Sequence, residues 1–301
     1  MRIPEPDQAP VTSTDVAGRI VHSYAAGQGH RDPQTITSFG EEWEKFTVFS
    51  ADDLRMIGDE YFDIVPDGLL TKDTVVLDLG CGSGRWTRYI SPQVGRVEAV
   101  DPSAAVLHAA HANSDLANVR WSQAGVDNIP FPDSSFDMIV CLGVLHHVPD
   151  TAGAVRKAAA KLRPGGHLLL YLYYALDGRG PLFKALFHAS TLVRRVVSKL
   201  PGALKRFVCD LIAVFVYMPF VLLARLMKAI GGGSWKKVPL SYYVGKRFLI
   251  VRNDALDRFG TPLEQRFTKG EMEQMMQSAG LTGIRFSRSA PFWHALGVKA
   301  R

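Results

Sequence analysis

The stretch from Val76 to Trp86, VLDLGCGSGRW, runs from apolar residues through Asp78 into Gly80, Gly82 and Gly84 at two-residue spacing. Glycines so placed between a strand and a helix let the backbone come close to a ligand, with the first N–H groups of the helix aimed into the same crevice. Twenty-one residues after Gly80, the segment VEAVDPS places Asp101 at the tip of a second strand. A carboxylate there can accept both hydroxyls of an adenosine ribose. The dinucleotide fingerprint GxGxxG is absent, because Arg85 stands where its last Gly or Ala belongs, and this disfavours NAD. A third group lies in GVLHHVPD, where His146 and His147 follow another apolar run. Either could take a proton from an acidic acceptor. Neighbours on a helix point about 100° apart, so at most one of the pair faces a given pocket. The bland reading, in which both rings only cap and pack, stands beside it.

Positioning these residues takes alternating strands and helices. Apolar, β-rich runs occur at 74–79, 96–100, 118–122, 136–142 and 166–174, with helical candidates near 84–91, 103–112 and 151–162. Strands apolar throughout and alternating with helices require a parallel sheet covered on both faces. The expected fold is α/β: a doubly wound, mostly parallel, seven-stranded sheet. A C-terminal antiparallel hairpin (282–288 and 292–298) closes the sheet, and a helical insertion follows the fifth strand. Residues 1–38 read as a loosely ordered arm, and Phe39, Trp43, Phe46, Leu54, Ile57 and Tyr61 recur at helical spacing after it. The boundaries that follow are 1–66 for the arm and cap helices, 67–175 for the core, 176–267 for the insertion and 268–301 for the last helix and hairpin.

With these blocks in view, the sequence resembles the class I S-adenosylmethionine-dependent methyltransferases, in the branch that includes quinone, sterol, sugar and other small-molecule methyltransferases. VLDLGCGSGRW, VEAVDPS, GVDNIPFPDSSFDMIVCLGVLHHVPD and KLRPGGHLLL carry the resemblance in order, firmly over about residues 70–175. It implies a Rossmann-like enzyme that transfers a methyl group by direct displacement, with S-adenosylmethionine as cofactor. Asp78, Gly80, Cys81, Gly82 and Gly84 would then lie under the methionine part, Asp101 on the ribose, and Pro102 and Ser103 near the adenine. Val126 and Asp127 would meet the adenine edge, while Leu142 and Gly143 offer carbonyls to the cofactor's amino group. Trp43 would cap the site, and Tyr173, Tyr174, Arg252 and Arg266 would border the acceptor, with core packing or surface ion pairing as their plainer roles.

The net charge of +6 is local. Residues 181–230 hold eight Lys or Arg against Asp210, or +7, and the other 251 residues hold 27 against 28, or −1. Within 181–200 the apolar and basic residues fall on opposite faces, as in helices that lie on anionic membranes. From Leu211 to Ala224, fourteen residues are apolar without interruption, short of the roughly twenty needed to cross a bilayer. Either a lid over the acceptor or a peripheral membrane contact explains the insertion. The acceptor is expected to be a small molecule or a lipid- or glycan-linked one. An RNA methyltransferase and a non-catalytic cofactor-binding protein are the alternatives, and no nucleic-acid partner is expected because no base-flipping motif or RNA-binding module is found. Three scattered cysteines (Cys81, Cys141, Cys209) suit neither a disulfide framework nor a zinc site. No metal is expected, and the N-terminus lacks a secretory pattern, so the expected location is the cytoplasm, with or without membrane association.

Overall fold

The computed structural model describes residues 3–25, 27, 34, 36, 50–177, 180–231 and 233–300. The chain divides into two compact units, Met1–Asp177 with Leu263–Arg301, and Gly178–Pro262.

The first unit is built on one mixed sheet. Its strands are β1 (Thr12–Val16), β2 (Arg19–Ser23), β3 (Val75–Leu79), β4 (Arg96–Asp101), β5 (Val119–Gln123), β6 (Phe136–Leu142), β7 (Leu162–Tyr171), β8 (Leu281–Phe286) and β9 (His294–Lys299). They lie in the order β1-β2-β5-β4-β3-β6-β7-β9-β8. All pairs from β2 to β7 are parallel, and the outer pairs β1·β2, β7·β9 and β9·β8 are antiparallel. Every residue of β3 and of β6 is buried, so VVLDL and FDMIVCL have no polar face, as central strands of a sheet covered on both sides demand. Helices α1 (Ala51–Tyr61), α2 (Arg85–Ile90), α3 (Ala105–Ala112), α4 (Thr151–Lys161) and α9 (Lys269–Ser278) complete the unit. Three of them start on side-chain caps: Ser50 and Asp53 close a box on α1, Asp150 accepts from Gly153 N–H on α4, and Thr268 and Glu271 close a second box on α9.

Among the described residues the sheet has nine strands in place of the expected seven, because residues 12–23 form a hairpin rather than a loose arm. Val16 pairs with Arg19 across a two-residue loop, Ala17-Gly18, with φ of 52° and 76°. That is a primed turn, usually announced by Asn-Gly or Asp-Gly; with Ala in the first position the signal is lost. Asp15 stabilises the turn by accepting from Gly18 N–H at 2.8 Å.

The second unit is helical: α5 (Pro181–Val197), α6 (Gly202–Ile212), α7 (Met218–Ala229) and α8 (Phe248–Gly260). A five-residue π turn, Ala213–Tyr217, joins α6 to α7 without a break. Pro219 explains it: proline has no N–H for the carbonyl of Phe215 and its ring crowds that carbonyl, and a wider turn just before it accommodates both. The buried residues of this long helix, Lys205, Cys209, Ala213, Tyr217, Val221 and Ala224, form one stripe. In α5 the charges do not all face outward, since Arg194 is buried and donates to the carbonyls of Thr261 and Pro262 at 3.1 and 3.0 Å.

Candidate active site

In the strand order, β3 is followed on one side by β4 and β5, after which the chain crosses to β6 on the other side of β3. The crevice beyond the carboxyl ends of β3 and β6 is therefore the topological switch point, where open α/β sheets bind ligands. Asp78 and the glycine turn leave β3 there, and Leu142, Gly143 and Val144 leave β6 beside them. Gly80, Gly82 and Gly84 all adopt left-handed φ, of 80°, 51° and 77°. At Gly80 the demand is double, because a Cβ would also lie 2.4 Å from Val144 Cγ2. The turn is tied to β4 by Gly80 and Cys81 N–H, which donate to Val100 O at 2.7 and 3.1 Å.

Two buried carboxylates flank this turn. Asp101 accepts from Gly82 N–H at 2.9 Å, Ser103 N–H at 2.8 Å and Ser103 Oγ at 2.6 Å. Two of the three fall on Oδ1, which leaves Oδ2 with acceptor capacity. Asp78 accepts from Thr87 Oγ1 at 2.5 Å. Burial pushes the Asp78 carboxyl up to about 7, with the neighbouring Asp101 adding to the effect against the Thr87 hydrogen bond. Burial also raises Asp101, opposed by its bonds from Ser103 and Gly82. Neither carboxylate has a salt-bridge partner among the described residues, an arrangement that favours a cationic, hydroxyl-bearing ligand. Burial and the two aspartates raise the Cys81 thiol, so it packs as an inert side chain under the turn.

Around the edge of the crevice, Pro102 and Ser103 follow Asp101, and Val126 is buried in a short turn after β5. Asp127 is ion-paired to Lys157 of α4 at 2.6 Å, and Gly27 lies against its Cβ. Its carboxylate is thus already charge-compensated, which the sequence reading did not foresee. Gly143, at φ 79°, donates to Tyr171 O at 3.2 Å.

Beyond β6 and β7 lies an aromatic cluster. His146 is fully buried, stacks on Tyr173 at a centroid distance of 3.8 Å and 26°, and sits 4.0 Å from the ring of His147. Neither nitrogen of His146 has a hydrogen-bond partner among the described residues. Burial, then His147 and Arg266, holds its pKa well below the usual histidine value, so the ring is neutral. His147 differs: its Nδ1 lies 2.7 Å from Leu263 O. The Arg266 guanidinium stands 5.1 Å over the Tyr173 ring, with Glu264 as its ion-pair partner at 2.9 Å.

The structure therefore gathers Asp78, the glycines, Asp101, Leu142 and Gly143 at adjacent strand ends, and His146, His147, Tyr173 and Arg266 in one cluster. Tyr174 turns elsewhere, packing on Phe292 and Trp293. Arg252 belongs to the second unit, where it grips Asp210 in a bidentate pair at 2.5 and 2.7 Å, the ion-pairing role that stood beside the acceptor-side one. Trp43 lies outside the described residues. Sequence reasoning missed Tyr171, whose ring meets those of Tyr61 (5.1 Å) and Tyr173 (5.8 Å), and Trp86, 4.9 Å from Tyr61. Tyr171 and Tyr173 are two residues apart at the end of a strand, and that same-face spacing was the available signal.

Comparison with known proteins bears on residues 77–170, which match the methyltransferase domain family. The chain is 37% identical over 103 residues to the uncharacterized methyltransferase YcgJ of Bacillus subtilis, covering 33% of this chain and 41% of that protein. It is 36% identical over 97 residues to the ubiquinone biosynthesis O-methyltransferase of Alkalilimnicola ehrlichii (31% and 39% covered). It is 33% identical over 112 residues to the tRNA U34 carboxymethyltransferase of Nautilia profundicola (36% and 37% covered). The matched stretch thus spans less than two thirds of each relative. Residues 77–170 belong to the class I S-adenosylmethionine-dependent methyltransferase family, whose methyl donor is S-adenosylmethionine.

Proposed function

We propose that the chain transfers a methyl group from S-adenosylmethionine to a small-molecule or lipid- or glycan-linked acceptor by direct displacement. The observation that carries this reading is the pair of buried carboxylates, Asp78 and Asp101, set on either side of the left-handed glycine turn with no salt-bridge partner among the described residues. With S-adenosylmethionine bound, Asp78 would offset the positive charge of its methionine part and Asp101 would accept from its ribose hydroxyls. When bound, it supplies a methyl group already activated for attack.

The chain's residues then have to orient an acceptor, exclude water and manage one proton. Neutral His146, without a hydrogen-bond partner among the described residues, is the group suited to accept that proton, at whichever ring nitrogen carries no hydrogen. His147, held by Leu263, positions it through ring contact. Tyr171, Tyr173 and Arg266 supply an aromatic and cationic wall for a flat or anionic acceptor. Incubating the full chain with methyl-labelled cofactor and separate lipid, glycan, small-metabolite and RNA extracts tests the reading. Label in one of the first three supports it, whereas label in RNA, or in none, refutes it.

A further inference from the structure

Gly178–Pro262 holds 15 Lys or Arg against three Asp, a net charge of +12, and the remaining residues hold 20 against 26, or −6. Charge of this kind suits phosphates of either a nucleic acid or a lipid leaflet. Exposed apolar side chains distinguish the two. Of the 18 large apolar residues exposed among the described residues, 14 lie between Leu192 and Phe248. Along the helix Gly202–Ala229, every exposed position from Leu211 to Leu223 is Leu, Val, Phe or Pro, and Phe215 is 72% exposed. A solvated helix would carry Lys and Glu there, and a surface made for RNA would present cations or stacking rings rather than a run of aliphatic side chains.

Cations bracket the run. Lys199 and Arg206 precede it, Arg225 and Lys228 follow it, and the Trp235 ring stands 5.1 Å from Lys228 Nζ and 5.8 Å from Lys236 Nζ. Trp beside Lys at the end of an apolar helix is the usual arrangement at a headgroup layer. By length and composition this 28-residue helix, with a mean hydropathy of 2.4 in its most apolar window, is also able to cross a bilayer. Its inner stripe, however, packs on α8 through the Asp210–Arg252 pair, and α8 carries Asn253, Asp254, Asp257 and Arg258 as well. Drawing that helix into hydrocarbon would be costly, which leaves only the outer face for lipid.

We propose that Gly178–Pro262 is a membrane-docking unit. The outer face of the helix 202–230 lies in the plane of an anionic leaflet, at the boundary of headgroups and acyl chains, held there by the flanking cations. This holds whether or not the catalytic reading above does, because it draws on different residues. The test is cosedimentation of the full chain with phosphatidylcholine vesicles, with and without phosphatidylglycerol, at low and high salt. The parent protein should pellet with the anionic vesicles, less so as salt rises. Phe215→Asp with Leu222→Asp should abolish pelleting. Lys199→Gln, Arg225→Gln and Lys228→Gln together should weaken it roughly a hundredfold, at about fivefold per cation. All of these positions are exposed, and an unchanged thermal melt shows that each variant is folded. A parent protein that stays in the supernatant overturns the proposal, as does a Phe215→Asp/Leu222→Asp variant that pellets like the parent. A lipid-free dimer dispersed by that variant would assign the face to a second copy, and binding to RNA in place of vesicles would assign it to nucleic acid; either overturns the proposal. Resistance to alkaline carbonate extraction would overturn the in-plane placement.

Discussion

Asp78→Asn tests the electrostatics of the glycine turn, because it keeps the shape and the Thr87 hydrogen bond while removing a buried charge. The folded protein holds the Asp78 carboxyl at about 7 against an ordinary value of 3.8, so it binds this proton more tightly than the unfolded chain does. The cost of ionising it is absent below pH 4, grows as the pH rises through 4 to 7 and is fully present above 7. Three pKa units at 1.36 kcal/mol each set that cost at about 4 kcal/mol. Part of it is offset in the variant by burial of the amide N–H₂. The variant should therefore match the parent near pH 4 and exceed it by about 2–4 kcal/mol at pH 8, while binding S-adenosylmethionine more weakly because an amide offsets no positive charge. Urea unfolding at both pH values with a calorimetric titration of the cofactor reads out all three quantities. Equal stability at pH 8, with the parent's pH slope retained, would refute the reasoning.

Gly80→Ala should destabilise the fold by about 2 kcal/mol or more, from left-handed strain and collision with Val144; an unshifted thermal melt would contradict the turn's geometry. His146→Ala should lower turnover about 10² to 10⁴-fold at temperatures where the variant, its melt lowered by the cavity left beside Tyr173, is still fully folded, whereas His147→Ala should act mainly on stability through the lost Leu263 bond; near-normal rates in both would mean that alignment alone suffices. Asp101→Ala should weaken cofactor binding at least about tenfold by calorimetry, since hydrogen bonds to a charged group contribute about 1.5–3 kcal/mol each; unchanged affinity would remove Asp101 from the ribose.

The parallel core was legible because Leu77, Ile139 and Leu169 sit in runs apolar on both faces, and the glycine turn because three residues in five lack a Cβ. What escaped depended on partners distant in sequence. The ion-pair partner of Arg252, Asp210, lies 42 residues away, and that of Asp127, Lys157, comes from α4, so neither pairing shows in a local pattern. The 12–23 hairpin was hidden by an alanine doing a turn residue's work, and its strand TSTDV, mostly exposed at a sheet edge, has no apolar face to announce it. The His146–Tyr173 stack joins residues 27 positions apart through the parallel pairing of β6 and β7, which no local pattern encodes.

In the proposed reaction the crevice at the ends of β3, β4 and β6 binds S-adenosylmethionine, and the methyl group passes to an acceptor that is not a nucleic acid. The most direct measurement follows methyl label from the cofactor into extract fractions with the parent protein and with Asp101→Ala side by side. The account predicts label in a lipid, glycan or small-metabolite fraction with the parent protein and its loss in the variant. Label confined to RNA, label in no fraction, or undiminished transfer by Asp101→Ala at limiting cofactor would contradict it.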